Sequence, residues 1–202
     1  MLKTRYPWFA GADSSSGGEV QHKDPLAFAR LLGAVFTECA RVLKPNGVLA
    51  FSFHHSRAEG WAAIYEAVNS AGLCVVAAHP VHAELRAASP KSAAKSPISL
   101  DAILVCKKRV DLAASDRSGW PVVENTHILA RRLEAAGMQV SDGDRFVIGA
   151  SQLLIAAAQE DLSFEVVEDR LQGLRCQFLA PALDADFIES SRSRDTVVPA
   201  RF

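Results

Sequence analysis

The sequence predicts an α/β protein: part of a doubly wound sheet, three strands of it, followed by a helical appendage. Three observations predict this. Between residues 24 and 108 apolar positions follow helical and extended spacing by turns, in the order helix, strand, helix, strand, long loop, strand. The run Val48–Phe53 is apolar on both faces except at Ser52, which reads as a central strand covered by helices. From about Val123 the extended signals fade and helical spacing remains.

Each element has a local reason. Residues 1–23 are loop-like, with RYPWF followed by the polar run ADSSSGG. Asp24-Pro25 opens the first helix, because aspartate caps and proline suits the first helical position. Phe28, Leu31, Leu32, Val35, Phe36, Cys39, Val42 and Leu43 then give it an apolar face, and Lys44-Pro45-Asn46-Gly47 turns the chain. After the strand Val48–Phe53, Ser56-Arg57-Ala58-Glu59 reads as a capping box for a helix that buries Trp61, Ile64 and Val68 and stops at Gly72. Leu73–Ala78 reads as a strand broken by His79-Pro80, 81–96 as a long polar loop, and Ile98–Cys106 as the last strand. No helix separates the last two strands, so they are expected to pair antiparallel at the edge of an otherwise mostly parallel sheet. Residues 24–109 form this sheet domain and 110–122 a linker. Helices are expected from about Val123, over Arg145–Ala158 and over Phe164–Leu171, within a helical part spanning 123–189. A polar tail, 190–202, is expected to be disordered.

Bulk properties exclude some classes. The chain has 202 residues and is 49% hydrophobic, enough for a substantial core. No apolar run is long enough to span a membrane, and MLKTRYPWF lacks a signal core, so a cytoplasmic protein is expected. Cys39, Cys74, Cys106 and Cys176 sit in apolar runs with no C-x-x-C pair, which predicts buried thiols and no metal site. His79 and His82 lack an accompanying carboxylate or thiol cluster and read as strand-end histidines. Net charge is −1, but it is unevenly spread. Arg86, Lys91, Lys95, Lys107, Lys108 and Arg109 face one acid, Asp101, across residues 86–109, while 134–189 holds eleven acids and three arginines. The basic stretch could meet a polyanion.

The succession LKPNG–VLAFSFHH, a capped helix with an early Trp61, AGLCVVAAHPVHAE and SPISLDAILVCKK resembles the later half of a class I, S-adenosylmethionine-dependent methyltransferase. More narrowly it resembles the DPPY-type adenine-specific DNA methylases, in particular the bacterial group described as having a zinc ribbon. The resemblance rests on Phe53-His54-His55, Trp61, Pro80-Val81 with Glu84, and Lys95 to Lys108, and covers about residues 1–108. It implies a Rossmann-like methyltransferase sheet whose fifth, sixth and seventh strands are the three named above. It also implies DNA as a partner and S-adenosylmethionine as the cofactor of the complete enzyme. Two of that family's motifs are absent from these 202 residues: the glycine-rich turn after the first strand, and the DPPY loop that holds the target amine. The zinc-ribbon cysteines are absent too. The expectation is therefore a carboxyl-terminal portion, inactive alone and binding no cofactor tightly. It would need a polypeptide carrying strands one to four.

Candidate residues follow from that placement. Phe53, His54, His55 and Glu84 are candidates for the substrate pocket, and Lys91, Lys95, Lys107 and Lys108 for DNA contact. Successive side chains on a strand point to opposite faces, so His54 and His55 cannot both line one pocket unless the strand ends between them. Asp101 is expected to pair with a loop lysine. No catalytic, cofactor or metal residue is assigned. Two alternatives stand beside this reading: a non-catalytic DNA-binding or assembly subunit of a split methyltransferase, and a fragment of a class I methyltransferase acting on RNA or a small molecule.

Overall fold

A computed structural model of the chain describes residues 19–83, 98–111 and 119–179. It is α/β. The elements are α1 (Pro25–Val42), β1 (Leu49–Phe53), α2 (Ala58–Ser70), β2 (Leu73–His82), β3 (Leu100–Lys108), a 3-10 turn (Arg109–Asp111), α3 (Val122–Ala135), α4 (Asp142–Glu160) and α5 (Phe164–Leu179). The strand order is β1-β3-β2, and both pairings are antiparallel. Leu49 pairs with Cys106 and Phe53 with Ala102 on one side of β3, and Leu73 with Lys108 and His82 with Leu100 on the other.

The last two strands pair antiparallel as expected, but the mostly parallel sheet is not found, since both ladders are antiparallel. The last strand lies in the middle, and Val48–Phe53, read as central, is an edge among the described residues. β1 and β2 still run parallel to each other, joined by α2, but β3 separates them. Local alternation reveals the helix-linked pair and cannot reveal a third strand arriving between its members. The cover is also one-sided. Leu100, Ala102, Leu104 and Cys106 of β3 are buried, whereas Asp101, Ile103, Val105 and Lys107 on the opposite face are only half-buried, and Ala50 and Ser52 of β1 are exposed. Phe36 of α1 lies 5.0 Å from Phe51, on the buried face, and α2 and α4 pack on that face as well.

Pro80 does not end β2. An edge strand needs its ladder bonds on one side only, so the missing N–H of proline breaks nothing. α1 starts as its sequence dictates, with Asp24 accepting the Ala27 N–H at 2.7 Å. It crosses α2 at Gly33, where a Cβ would sit 2.8 Å from the Ser70 hydroxyl. Gly72 holds φ +68 between α2 and β2, a conformation glycine adopts without strain.

α4 is buried on every side, from Gly143 to Ala158, and shares one apolar core with the sheet, α2, α3 and α5. Its anchor is Asp144. The carboxylate accepts the Ser141 N–H and hydroxyl, closing a capping box, and also the Ser99 N–H, Ser99 hydroxyl and Leu100 N–H at the start of β3. At the opposite end of β3, Arg109 bonds Asn69, the Ala158 carbonyl and Asp161, joining α2, β3 and the end of α4.

Tyr65 of α2 donates its buried hydroxyl to the carbonyls of Leu162 (2.7 Å) and Ala157 (3.3 Å), and burial pushes its pKa up to about 12. The unfolded value is near 10, so this stabilisation is whole below about pH 10 and is lost as pH climbs towards 12. Tyr65→Phe is expected to flatten the alkaline decline of stability over that interval, read from urea melts at successive pH values. An unchanged slope would show that another group titrates there. Burial beside Cys74 also pushes the Cys106 thiol up to about 12, so part of the decline should persist in the variant.

Among the described residues no helix is long and apolar enough to cross a membrane, and no three His, Cys, Asp or Glu side chains are grouped to hold a metal ion.

Candidate functional site

A cavity of about 410 Å³ opens at the carboxyl end of β1, between the first turns of α1 and α2. Crevices outside the carboxyl ends of strands are the usual ligand position in open α/β sheets, and this volume lies in the small-molecule range. The apolar part of its lining is Pro25, Phe28, Phe53 and Ala63; the polar part is His22, Lys23, His55, Arg57 and Glu59.

The two helices enter the cavity through the same local device. Before α1, His22 Nδ1 accepts the N–H of the cap residue Asp24 at 3.0 Å; before α2, His55 Nδ1 accepts the N–H of the cap residue Arg57 at 3.1 Å. The same Nδ1 atoms also lie 3.4 Å from the Asp24 carbonyl and 3.1 Å from the Arg57 carbonyl, so both tautomers satisfy a backbone partner at each helix start. The capping box expected at Ser56 and Glu59 does not form: Arg57 occupies the cap position of α2 without a side-chain cap bond.

His55 is held on several sides. Its carbonyl accepts the Trp61 indole N–H at 2.9 Å, and its ring lies parallel to that of Phe53, with centroids 6.3 Å apart. Trp61 meets Phe53 edge-on at 5.0 Å. A Cβ on Gly60 would come within 2.4 Å of the His55 ring, so only glycine permits this ring position. Glu59, free of a capping role, keeps one carboxylate oxygen, Oε2, buried with no hydrogen-bond partner among the described residues. Lys23 and Arg57 form no ion pair among the described residues.

The sequence-derived candidates divide accordingly. Phe53 and His55 line the cavity together. His54 projects from the opposite face of the strand and pairs through Nδ1 with Asp101, while the loop lysines Lys91 and Lys95 expected near Asp101 lie outside the described residues. Ser52, two residues earlier on that face, makes no hydrogen bond to His54 among the described residues. Lys108 donates to the Leu43 carbonyl at 2.7 Å and serves the end of α1, while Lys107 lies half-buried on the sheet. Glu84, Lys91 and Lys95 lie outside the described residues. Sequence reasoning missed His22, Lys23, Arg57 and Glu59 as cavity residues. The available signal was the repeat of a histidine two places before each helix cap.

No protein-family model, curated protein or solved structure matches the chain.

Proposed function

We propose that the chain is the carboxyl-terminal portion of a class I, S-adenosylmethionine-dependent DNA methyltransferase of the adenine-N6 type. It would contribute the fifth, sixth and seventh strands of a Rossmann-like sheet and one wall of the target pocket. The observation that carries the proposal is the edge of β1, unpaired among the described residues, with a ligand-sized cavity at its carboxyl end. Leu49–Phe53 contains neither proline nor charge, the usual devices that keep an edge from recruiting another strand. α1 adds to this. Leu31, Val35 and Val42 lie nearly opposite its buried face of Ala29, Gly33 and Phe36, and each is at least 45% exposed. A strand on β1 and apolar surface on α1 are what a preceding half of the sheet would supply.

The described residues do not fit the cofactor. The described strand-to-helix turn, from Phe53 to Ala58, contains no glycine against which a methionine moiety could approach, and Gly47 and Gly72 lie in helix-to-strand turns. Cofactor binding and methyl transfer therefore fall to the other half, and no chemical step is assigned to this chain.

The test is to purify the protein from its source cells with whatever polypeptide accompanies it, and to supply DNA and S-adenosylmethionine labelled on the methyl group. Labelled N6-methyladenine in the DNA is expected from the assembly and not from the isolated chain. An assembly that leaves DNA unlabelled while methylating RNA or a small molecule would overturn the proposal. The structural employment of Lys108 and Arg109 favours one alternative, an assembly subunit that contributes little to DNA affinity.

A further inference from the structure

We infer that the cavity between α1 and α2 binds a small phosphomonoester with a flat apolar body, its phosphate held by Lys23, Arg57 and Arg175. The inference goes beyond the proposed function and does not rest on it, because the occupant is read from the charge and lining of the cavity alone.

Three features define the occupant. The first is a surplus of positive charge. Lys23 and Arg57 line the cavity, and Arg175 of α5 reaches its edge, donating through Nε to the carbonyl of Ser56 at 3.2 Å, between the lining residues His55 and Arg57. None of the three cations is ion-paired among the described residues, whereas Arg170, the other arginine of α5, is taken by Glu160 at 2.8 Å. One acid, Glu59, stands against them, so these side chains leave two positive charges unbalanced. Cations gathered at one opening repel one another, and an anion of matching charge relieves this. The second feature is donor geometry. A guanidinium presents a fork of N–H groups that suits phosphate oxygens, and Arg175 bonds through Nε alone among the described residues, leaving its Nη groups to donate. The third is an apolar wall. Pro25, Phe28, Phe53 and Ala63 supply it, with the His55 ring parallel to that of Phe53, and the volume of about 410 Å³ suits a small molecule. Inorganic phosphate leaves that wall wet. A carboxylate balances one charge of the two. A metal ion or an amine is repelled. A dianionic phosphate on a ring meets all three features.

The probes are phenyl phosphate, inorganic phosphate and benzenesulfonate, titrated calorimetrically into the full chain at about pH 8, where the second phosphate proton has left. Benzenesulfonate keeps the ring and carries a single negative charge. Inorganic phosphate keeps the charge and lacks the ring. Phenyl phosphate is expected to bind about tenfold or more tightly than either. Arg57→Ala and Arg175→Ala are each expected to weaken phenyl phosphate about tenfold. Arg131→Ala removes an exposed arginine of α3 outside the cavity lining and should leave the affinity unchanged. Urea melts of the variants show that the fold is kept. Equal affinity for phenyl phosphate and benzenesulfonate overturns the inference, because the double charge is then not read. Equal affinity for phenyl and inorganic phosphate overturns it too, because the apolar wall is then not used. So does the absence of saturable binding, or a loss in Arg131→Ala as large as in Arg57→Ala. The two proposals fail separately. A chain that binds none of the probes leaves the DNA labelling result standing, and an assembly that labels no DNA leaves this titration standing.

Discussion

Replacing Asp144 by alanine is expected to cost about 4 kcal/mol of folding stability and to lower the melting temperature by roughly 10 °C. One carboxylate serves two elements. It caps α4 through Ser141, and it satisfies the Ser99 and Leu100 N–H groups and the Ser99 hydroxyl where β3 begins. Asp144 is 1% exposed, so no water stands ready to replace it. Its loss orphans backbone donors at both ends of the junction, at about 1–3 kcal/mol for each left dry. Asp144→Asn should recover part of the loss, because its carbonyl oxygen can still accept the Ser99 and Leu100 N–H groups while its NH2 opposes the Ser141 N–H. The measurement is a urea melt of each variant beside the unaltered chain. A loss below about 1 kcal/mol for alanine would mean that α4 and β3 are held together by apolar packing alone.

Trp61→Ala is expected to cost about 3–5 kcal/mol, the usual range for emptying a buried aromatic site. Trp61 is fully buried, meets Phe53 edge-on and donates its indole N–H to the His55 carbonyl. The variant thus opens a cavity beneath the candidate site and releases the backbone of the residue that shapes it. Trp61→Phe separates these effects. It keeps most of the ring volume and loses the N–H, so its expected cost is about 1–2 kcal/mol. Thermal and urea melts read the stability.

Much of the fold was legible because it is written locally. Asp24-Pro25 caps α1 and Gly72 ends the turn after α2, each at the position where its conformational preference is needed. Strand order was not legible. The place of β3 depends on which edges find each other across the chain, and its alternating apolar pattern is the same at the middle as at the rim. Capping chemistry was legible by type and not by place. Ser56 and Glu59 have the right spacing and form no box, whereas Ser141 and Asp144 do. The difference is that Asp144 also has Ser99 and Leu100 to bond, a partner set invisible in a local window. The same holds for charge. Lys108 and Arg109 belong to a basic run in sequence, yet each is drawn onto a carbonyl or side chain of another element. Phe53 and His55 were found because a strand end is a local feature. Lys23 and Glu59 were missed because their convergence is set by the packing of α1 against α2.

The position of β3 governs the order in which the chain can become structured as it is synthesised. β1, α2 and β2 leave the ribosome before β3, yet β1 and β2 share no ladder bonds; among the described residues both bond only to β3. Until Leu100–Lys108 has emerged, neither earlier strand has a partner among the described residues. One late segment then completes two ladders at once, and α4, still later, is needed to bury the face it creates. The nascent chain therefore carries two apolar strands without their β3 partner from the emergence of His82 until that of Lys108, the interval in which a holdase chaperone has the most to bind.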